Sequence, residues 1–403
     1  MKVTYPHMGS LSLAMHGLLS GLGLEVVPPP PITKKTIDLG VRHSPEFACF
    51  PLKINMGNFI EALSAGADTI VMAGGTGPCR FGYYAEVQRE ILKDLGFNFK
   101  MIVLEPPQGQ AGLLLERLKP LRANVTWREL SALLLLTWRK VKAMDRLHAR
   151  LLQVRPGETV CGASTRAYEQ ALAALAAARS SRELGRALRE GLSALNRVPV
   201  RHGPDRLRIG LVGEIYMLLE PYANLQMEKL LGEMGVTVER SIYISHWIKE
   251  HLVLSSLRLK GSRNINKAAA PYLNHFVGGH GRESVGKTVL YARRGFDGVI
   301  HILPFTCTPE IVAQSILPAV SEEQGIPVIS FSLDEQSGEA GFVTRLEAFL
   351  DLLRQKRLSR RTQNAERGTR NPEPRTQNSE LSRREQEGKI FSRFTERETF
   401  RQE

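Results

Sequence analysis

The sequence predicts an α/β protein with two doubly wound units, a helical connector between them and a disordered basic tail after them. Three observations predict it. Short apolar runs alternate with amphipathic stretches over residues 1–115 and again over 205–353. A stretch rich in Leu, Ala and Arg at helical spacing separates them over 116–204. Residues 354–403 have few large apolar side chains. At 403 residues the chain is long enough to bury two cores.

The elements follow in order. KVTYP reads as a first strand, SLAMHGLLSGLG as an amphipathic helix ended by glycine, and LEVVPP as a second strand stopped by four prolines. After Cys49, PLKINMGNFIEALSAG begins with proline at a first helical position and ends at Gly66. DTIVMAGG is a strand, FGYYAEVQREILKDLG a helix and FKMIVLE another strand. The connector has one internal break, at Pro156-Gly157. Strand patterns return at LRIGLVGE, the helix LQMEKLLGEMG leads to VTVERSIY, and a helical patch spans roughly Trp247 to Arg294. GVIHILPF, the helix PEIVAQSILPAVSEEQG and IPVISFSL complete the second unit, and TRLEAFLDLLRQKR runs into the tail.

Composition excludes several classes. No apolar run reaches the 18 residues that span a bilayer, and the start MKVTYPHMG lacks the pattern of a secretory leader, so the expected location is the cytoplasm, without membrane contact. Four cysteines are too few for a disulfide framework. The net charge of +13 raises the question of nucleic acid, but from Arg354 to Glu403 there are 14 Lys and Arg against 8 Glu, so the tail supplies +6 of it. The tail repeats RTQN at Arg361 and Arg375 and reads as disordered or loosely helical, which makes a solvated appendage the expectation and nucleic acid a minor one.

Three cysteines share one local setting. In SPEFACFPLK, GGTGPCRFGY and LPFTCTPEIV an apolar run breaks at Pro or Gly, a cysteine follows and a helical pattern resumes. Two of these segments close strands, so Cys79 and Cys307 fall just past strand carboxyl ends, where open α/β sheets form ligand crevices. Glycine and proline neighbours let backbone approach a bulky inorganic group and leave N–H groups free for its sulfides. Cys49, Cys79 and Cys307 are therefore candidate ligands of a metal or cluster; buried hydrophobic thiols are the competing reading. Cys161 lies in the connector and lacks this setting.

GRESVGKT, from Gly281 to Thr288, matches the phosphate-loop pattern. The preceding AAAPYLNHFVGGH reads as helix and turn rather than a strand, so glycine at a helix start is expected here and not ATP.

The runs SPEFACFPLKINMGNFIEALSAGADT, GGTGPCRFGYYAEVQREILKDLG, GEIYMLLEPYANLQMEKLL and GFDGVIHILPFTCTPEIVAQSILPAVSEEQGIPVISFSLDEQSGEAGFVTRLEAF together resemble the 2-hydroxyacyl-CoA dehydratase component family, and within it the CoA-enzyme activase-related branch. The likeness covers roughly residues 1–353. It implies two related Rossmann-like domains around a cleft, with Cys49, Cys79 and Cys307 holding a [4Fe–4S] cluster, or a double-cubane cluster as in a related branch of homodimers. Three thiolates leave one iron of a cubane without a protein ligand. The family's dehydratases place that iron beside an acyl-CoA thioester, where one electron yields a ketyl radical anion that expels the neighbouring hydroxyl.

The resemblance also implies an ATP-hydrolysing activator protein as electron donor, a homo- or heterodimer, and activity as a lyase or a double-cubane-type reductase. The alternative is a non-catalytic iron–sulfur scaffold or electron-relay partner. Glu46 and Glu310 are candidate ligands or proton acceptors, although an acid near a helix start is also the ordinary dipole partner. Arg80 is a candidate for holding an anionic cluster or phosphate, with a surface ion pair as the competing role. Asn224 and His280 are candidates for the cleft, and His275 and His280 are spaced too far for a helical metal pair.

Overall fold

The apolar stretches that end shortly before Cys79 and Cys307 are strands, each inside a four-stranded parallel sheet. The computed structural model describes residues 1–75, 78–105, 116–122, 125–201, 203, 206–250 and 263–369. In chain order, β1 (Lys2–Thr4), α1 (Leu11–Gly21), β2 (Glu25–Val26), α2 (Lys34–His43), α3 (Phe50–Ser64), β3 (Thr69–Ala73), α4 (Phe81–Asp94) and β4 (Lys100–Leu104) build the first sheet and its helices. The connector is α5 (Trp127–Val154), α6 (Ala163–Ala177) and α7 (Ser181–Arg197). Next come β5 (Arg208–Gly213), α8 (Ile215–Leu219), α9 (Met227–Glu233), β6 (Thr237–Arg240), α10 (Ile244–Ile248), α11 (Arg263–Ala269) and α12 (Gly281–Arg293). Last are β7 (Gly298–Pro304), α13 (Thr308–Gln324), β8 (Val328–Leu333) and α14 (Glu339–Thr369).

The strand orders are β2-β1-β3-β4 and β6-β5-β7-β8, so both sheets follow one pattern. Order reverses between β1 and β3 and between β5 and β7, and a ligand crevice forms at such a switch point, outside the strand carboxyl ends. Two elements have no counterpart in the sequence reading. One is α2, whose Thr33 caps the N-terminus by accepting from the Thr36 amide; the other is the single-turn α8. Contacts divide the chain into Met1–Leu353 and Arg354–Glu403. The tail expected from Arg354 is helical as far as Thr369, and residues 370–403 lie outside those described. Among the described residues no helix is long and apolar enough to cross a membrane.

Helix α3 carries the packing. Of its fifteen residues only Glu61 and Ser64 escape burial, the mark of a helix enclosed on all sides. Phe50 and Ile54 join the core beneath the second sheet, with Ile209, Leu211, Ile300 and Phe331. Leu52, Met56, Phe59 and Leu63 join that of the first, with Ile70, Met72 and Leu92. Its Lys53 is nearly buried and pairs with Glu335 at 2.5 Å. The turns of α2 and α3 touch backbone to backbone: a Cβ on Gly57 would run into the Thr36 carbonyl, and one on Gly40 into that of Lys53.

The connector is tied in through a buried charge cluster. Glu228 of α9 lies 2.8 Å from His148 of α5 and 3.6 Å from Arg240 of β6. Burial alone would raise the Glu228 pKa; Arg240, His148 and Arg155 outweigh it and hold it at about 2.

The GRESVGKT match lies wholly within α12, so the amides after its first turn are spent on the helix rather than free to cradle phosphate. Its glycines serve packing instead. A Cβ on Gly281 would meet the Pro309 carbonyl, and one on Gly286 the Ile265 carbonyl.

Overpacking usually costs about 1–3 kcal/mol. Because the atom in the way at Gly57 is a backbone oxygen in an adjoining helix, Gly57→Ala is expected to reach the top of that range, read as a lowered urea midpoint, while Gly96→Ala, which meets no atom but has positive φ, costs about 1 kcal/mol.

Candidate metal centre

Each of the three cysteines lies at a helix start. Cys49 is the N-cap of α3, Cys307 the N-cap of α13, and Cys79 immediately precedes Arg80, the N-cap of α4. Unpaired amides and the aligned peptide dipoles favour negative charge at each of these ends. The amides of Phe81 and Glu310 point at the sulfurs of Cys79 and Cys307. A further acid caps the helix after β5: the Glu214 carboxylate accepts from the Met217 amide at 2.9 Å.

Arg80 locks the loops together. One guanidinium nitrogen donates to the Phe47 carbonyl at 2.7 Å, in the Cys49 loop, and the other to the Thr306 carbonyl, beside Cys307. The Thr306 hydroxyl donates to the same Phe47 carbonyl at 3.2 Å. Thr306 has φ of 67°, a conformation that β-branched residues seldom adopt, so this clamp holds strained backbone next to a candidate ligand. A fourth segment closes in from the α12 side: a Cβ on Gly278, itself at φ 87°, would stand 2.8 Å from the Cys79 amide.

The thiols share electrostatic surroundings. Burial pushes Cys49 up to about 11 and Glu214 adds to the rise, against a hydrogen bond with Tyr84 and the charge of Arg80. Cys79 rises through burial, with Glu214 and Glu310 adding to it. Cys307 rises furthest, through burial and then the charges of Glu310 and Glu214. Glu214 is itself carried to about 7 by burial and by Glu310. A pocket of three thiols and two carboxylates resists becoming anionic on its own, and bound metal cations reverse that logic by deprotonating the thiols. Among the described residues no group of three or more His, Cys, Asp or Glu is placed to hold a metal ion. The cysteines nonetheless lie within electrostatic reach of one another, on loops clamped together.

The other sequence candidates divide. Glu310 is fully buried, with Oε2 2.8 Å from the Ser284 hydroxyl and 2.9 Å from His301 Nε2. Glu46 is exposed on the Cys49 loop. Arg80 holds backbone carbonyls rather than an acidic partner. His280 caps α12 beside the Gly278 turn. Asn224 is a structural residue, bonding the Met217 carbonyl at 2.7 Å and the Met227 amide at 3.1 Å. Cys161 is exposed. Sequence reasoning missed Glu214, Tyr84, Ser284 and His301. Two left a signal: Glu214 follows directly on the apolar strand RIGLVG, and His301 interrupts the wholly buried strand GVIHILP, where a polar group needs a partner.

A scan of protein-family models and a search of curated proteins find no match to this chain.

The raised Glu214 pKa sets a pH dependence for the cluster-free chain. Below pH about 4.5 the folded and unfolded forms are both protonated. Between there and about 7 only the unfolded chain ionises, so folding weakens as pH rises, by roughly 3 kcal/mol in all. Burial carries Glu283 the same way, so the quantity to measure is the difference between wild type and Glu214→Gln. Urea midpoints of the two should diverge from pH 5 to pH 7, with the variant gaining; parallel curves would deny the shift.

Proposed function

We propose that this chain is a cytoplasmic iron–sulfur redox protein whose Cys49, Cys79 and Cys307 hold a [4Fe–4S] or double-cubane cluster in the cleft between two Rossmann-like domains. The observation that carries the reading is the meeting of these three cysteines, from loops up to 258 residues apart in sequence, at three helix starts pinned by Arg80. A bound cluster supplies low-potential one-electron chemistry, tuned by burial and by N–H donors to sulfur. The residues around it do the rest. Phe81 and Glu310 offer amides to the sulfurs, Arg80 fixes the loops, and Glu214 and Glu310 keep acidic groups at hand. The resemblance to the 2-hydroxyacyl-CoA dehydratase component family supports radical dehydration or reduction of a small acyl-CoA, a dimer, and an ATP-hydrolysing activator as electron donor.

Exposed aromatic side chains near the cysteines favour an outside reactant. Phe47 and Phe305 each lie two residues before a cysteine, Tyr83 lies in the first turn of α4, and Phe276 precedes the Gly278 turn; all four are exposed by 60% or more. Large exposed apolar side chains mark contact sites when they gather, and these offer a surface to an acyl-CoA or an electron donor.

Anaerobic reconstitution tests the reading. Wild type and Cys161→Ser should retain iron and acid-labile sulfide and give a low-temperature EPR signal on reduction, while Cys307→Ala and Cys79→Ala should lose most of both. A wild type that takes up no cluster ends the proposal. With the cluster in place, turnover of 2-hydroxyacyl-CoA thioesters after reductive activation separates the enzyme from the electron-relay scaffold, which would reduce and reoxidise without product.

A further inference from the structure

The loops at the carboxyl ends of β1 and β3 border the switch point of the first sheet, as those after β5 and β7 border that of the second. Cys79 and Cys307 follow β3 and β7, and Glu214 comes directly after β5. The remaining loop, after β1, carries His7, three residues beyond Thr4.

His7 is held by an acid from the other half of the chain. Its Nδ1 lies 2.9 Å from Oε2 of Glu220, the residue that closes α8. That oxygen also accepts from the Gly9 amide at 2.8 Å, and Oε1 accepts from the Tyr222 amide at 3.1 Å. With an amide donating to each oxygen, Glu220 acts as acceptor throughout, so Nδ1 carries the ring proton and Nε2 the lone pair. The loop itself is fixed: a Cβ on Gly9, at φ 47°, would run into the Leu219 carbonyl, and the Met8 amide donates to the Ser12 hydroxyl at 2.9 Å. The Glu220 side chain is 4% exposed and that of His7 24%. Among the described residues nothing bonds Nε2.

One ring nitrogen is thus oriented by a buried carboxylate while the other stays open, the arrangement in which an imidazole serves as a base. The start of α1 is not an anion site, because its Gly9 amide is already taken by Glu220. Helix α8, only about 7.5 Å long, separates Glu220 from Glu214, whose charge acts on all three thiols.

We propose that His7 is a proton-transfer residue of the crevice outside the first sheet, taking the proton of a ligand's hydroxyl on Nε2 and returning it, with Glu220 as its positioning residue. The step balances within the pair: the ligand O–H bond breaks as Nε2–H forms, and the imidazolium keeps its Nδ1–H on Glu220. The hydroxyl-bearing substrate class rests on the function proposed above; the base and its orientation require no cluster.

Diethyl pyrocarbonate, which adds an ethoxycarbonyl group to an imidazole nitrogen bearing a lone pair, tests the base on the full chain, read residue by residue by mass spectrometry. His7, although mostly covered, is expected to react at least as fast as the exposed His275. Glu220→Gln, whose amide can turn an N–H toward Nδ1, should slow His7 several-fold while His275 keeps its rate. Circular dichroism checks folding, and if Glu220→Gln does not fold, the wild-type comparison and His7→Gln decide. With 2-hydroxyacyl-CoA thioesters as substrates after reductive activation, His7→Gln should lower kcat by about 10²–10⁴-fold with little change in KM. A His7 left unmodified while His275 reacts overturns the assignment, and so does wild-type turnover in His7→Gln. A wild type without turnover sets the thioesters aside as substrates and leaves the reagent to decide on the base.

Discussion

The enclosure of α3 is the constraint on which the rest depends. A helix buried all round contributes apolar surface to two cores at once, here through Phe50 and Ile54 on one side and Leu52, Met56 and Phe59 on the other. At roughly 25 cal/mol per Å² of buried apolar area, those side chains bind it to both sheets. Gly40 and Gly57 remove the side chains that would hold α2 away. The position of Cys49 follows from this packing, because the residue that caps a rigid helix has little freedom of its own. Its thiol is thereby fixed relative to β3 and β7, whose following loops carry Cys79 and Cys307.

Two electrostatic influences oppose each other at the thiols. Three helix starts favour negative charge, yet burial and the acids Glu214 and Glu310 push the thiols the other way. The second influence prevails at Cys307. Both acids also have structural partners, Glu214 the Met217 amide and Glu310 the Ser284 hydroxyl and His301. Acids gathered around thiols make physical sense when positive charge arrives with a ligand, as metal coordination lets thiolates and carboxylates coexist.

Much of the fold was legible because its signals are local. The apolar runs around Val71, Leu211 and Ile302 and the glycine and proline punctuation around them place seven of the eight strands, and even β2, only two residues long, falls inside LEVVPP. Helix α2 escaped because TKKTIDLGVRH is half polar and owes its burial to Gly40 meeting α3, a tertiary contact that no period records. In the site, Cys49, Cys79 and Cys307 could be picked out since each breaks an apolar run. Tyr84 and Ser284 could not, because they are ordinary helix residues until α4 and α12 bring them to the pocket. Arg80 was visible as a cation, but its actual partners are carbonyls, and carbonyls carry no mark in a sequence.

The phosphate-loop match shows why context outweighs pattern. A phosphate cradle needs free amides on a loop between a strand and a helix. At Gly281–Thr288 the backbone is already helical, and its glycines are committed to the Pro309 and Ile265 carbonyls. The same close approach has a consequence for the thiol pocket. It sets α12 against the start of α13, bringing the Ser284 hydroxyl within 2.8 Å of Glu310 and the Gly278 turn against Cys79. Cys49 and Cys307 are buried, whereas Cys79 and the Gly279 turn beside it retain contact with solvent. Of the three thiols, that of Cys79 is therefore the one solvent reaches.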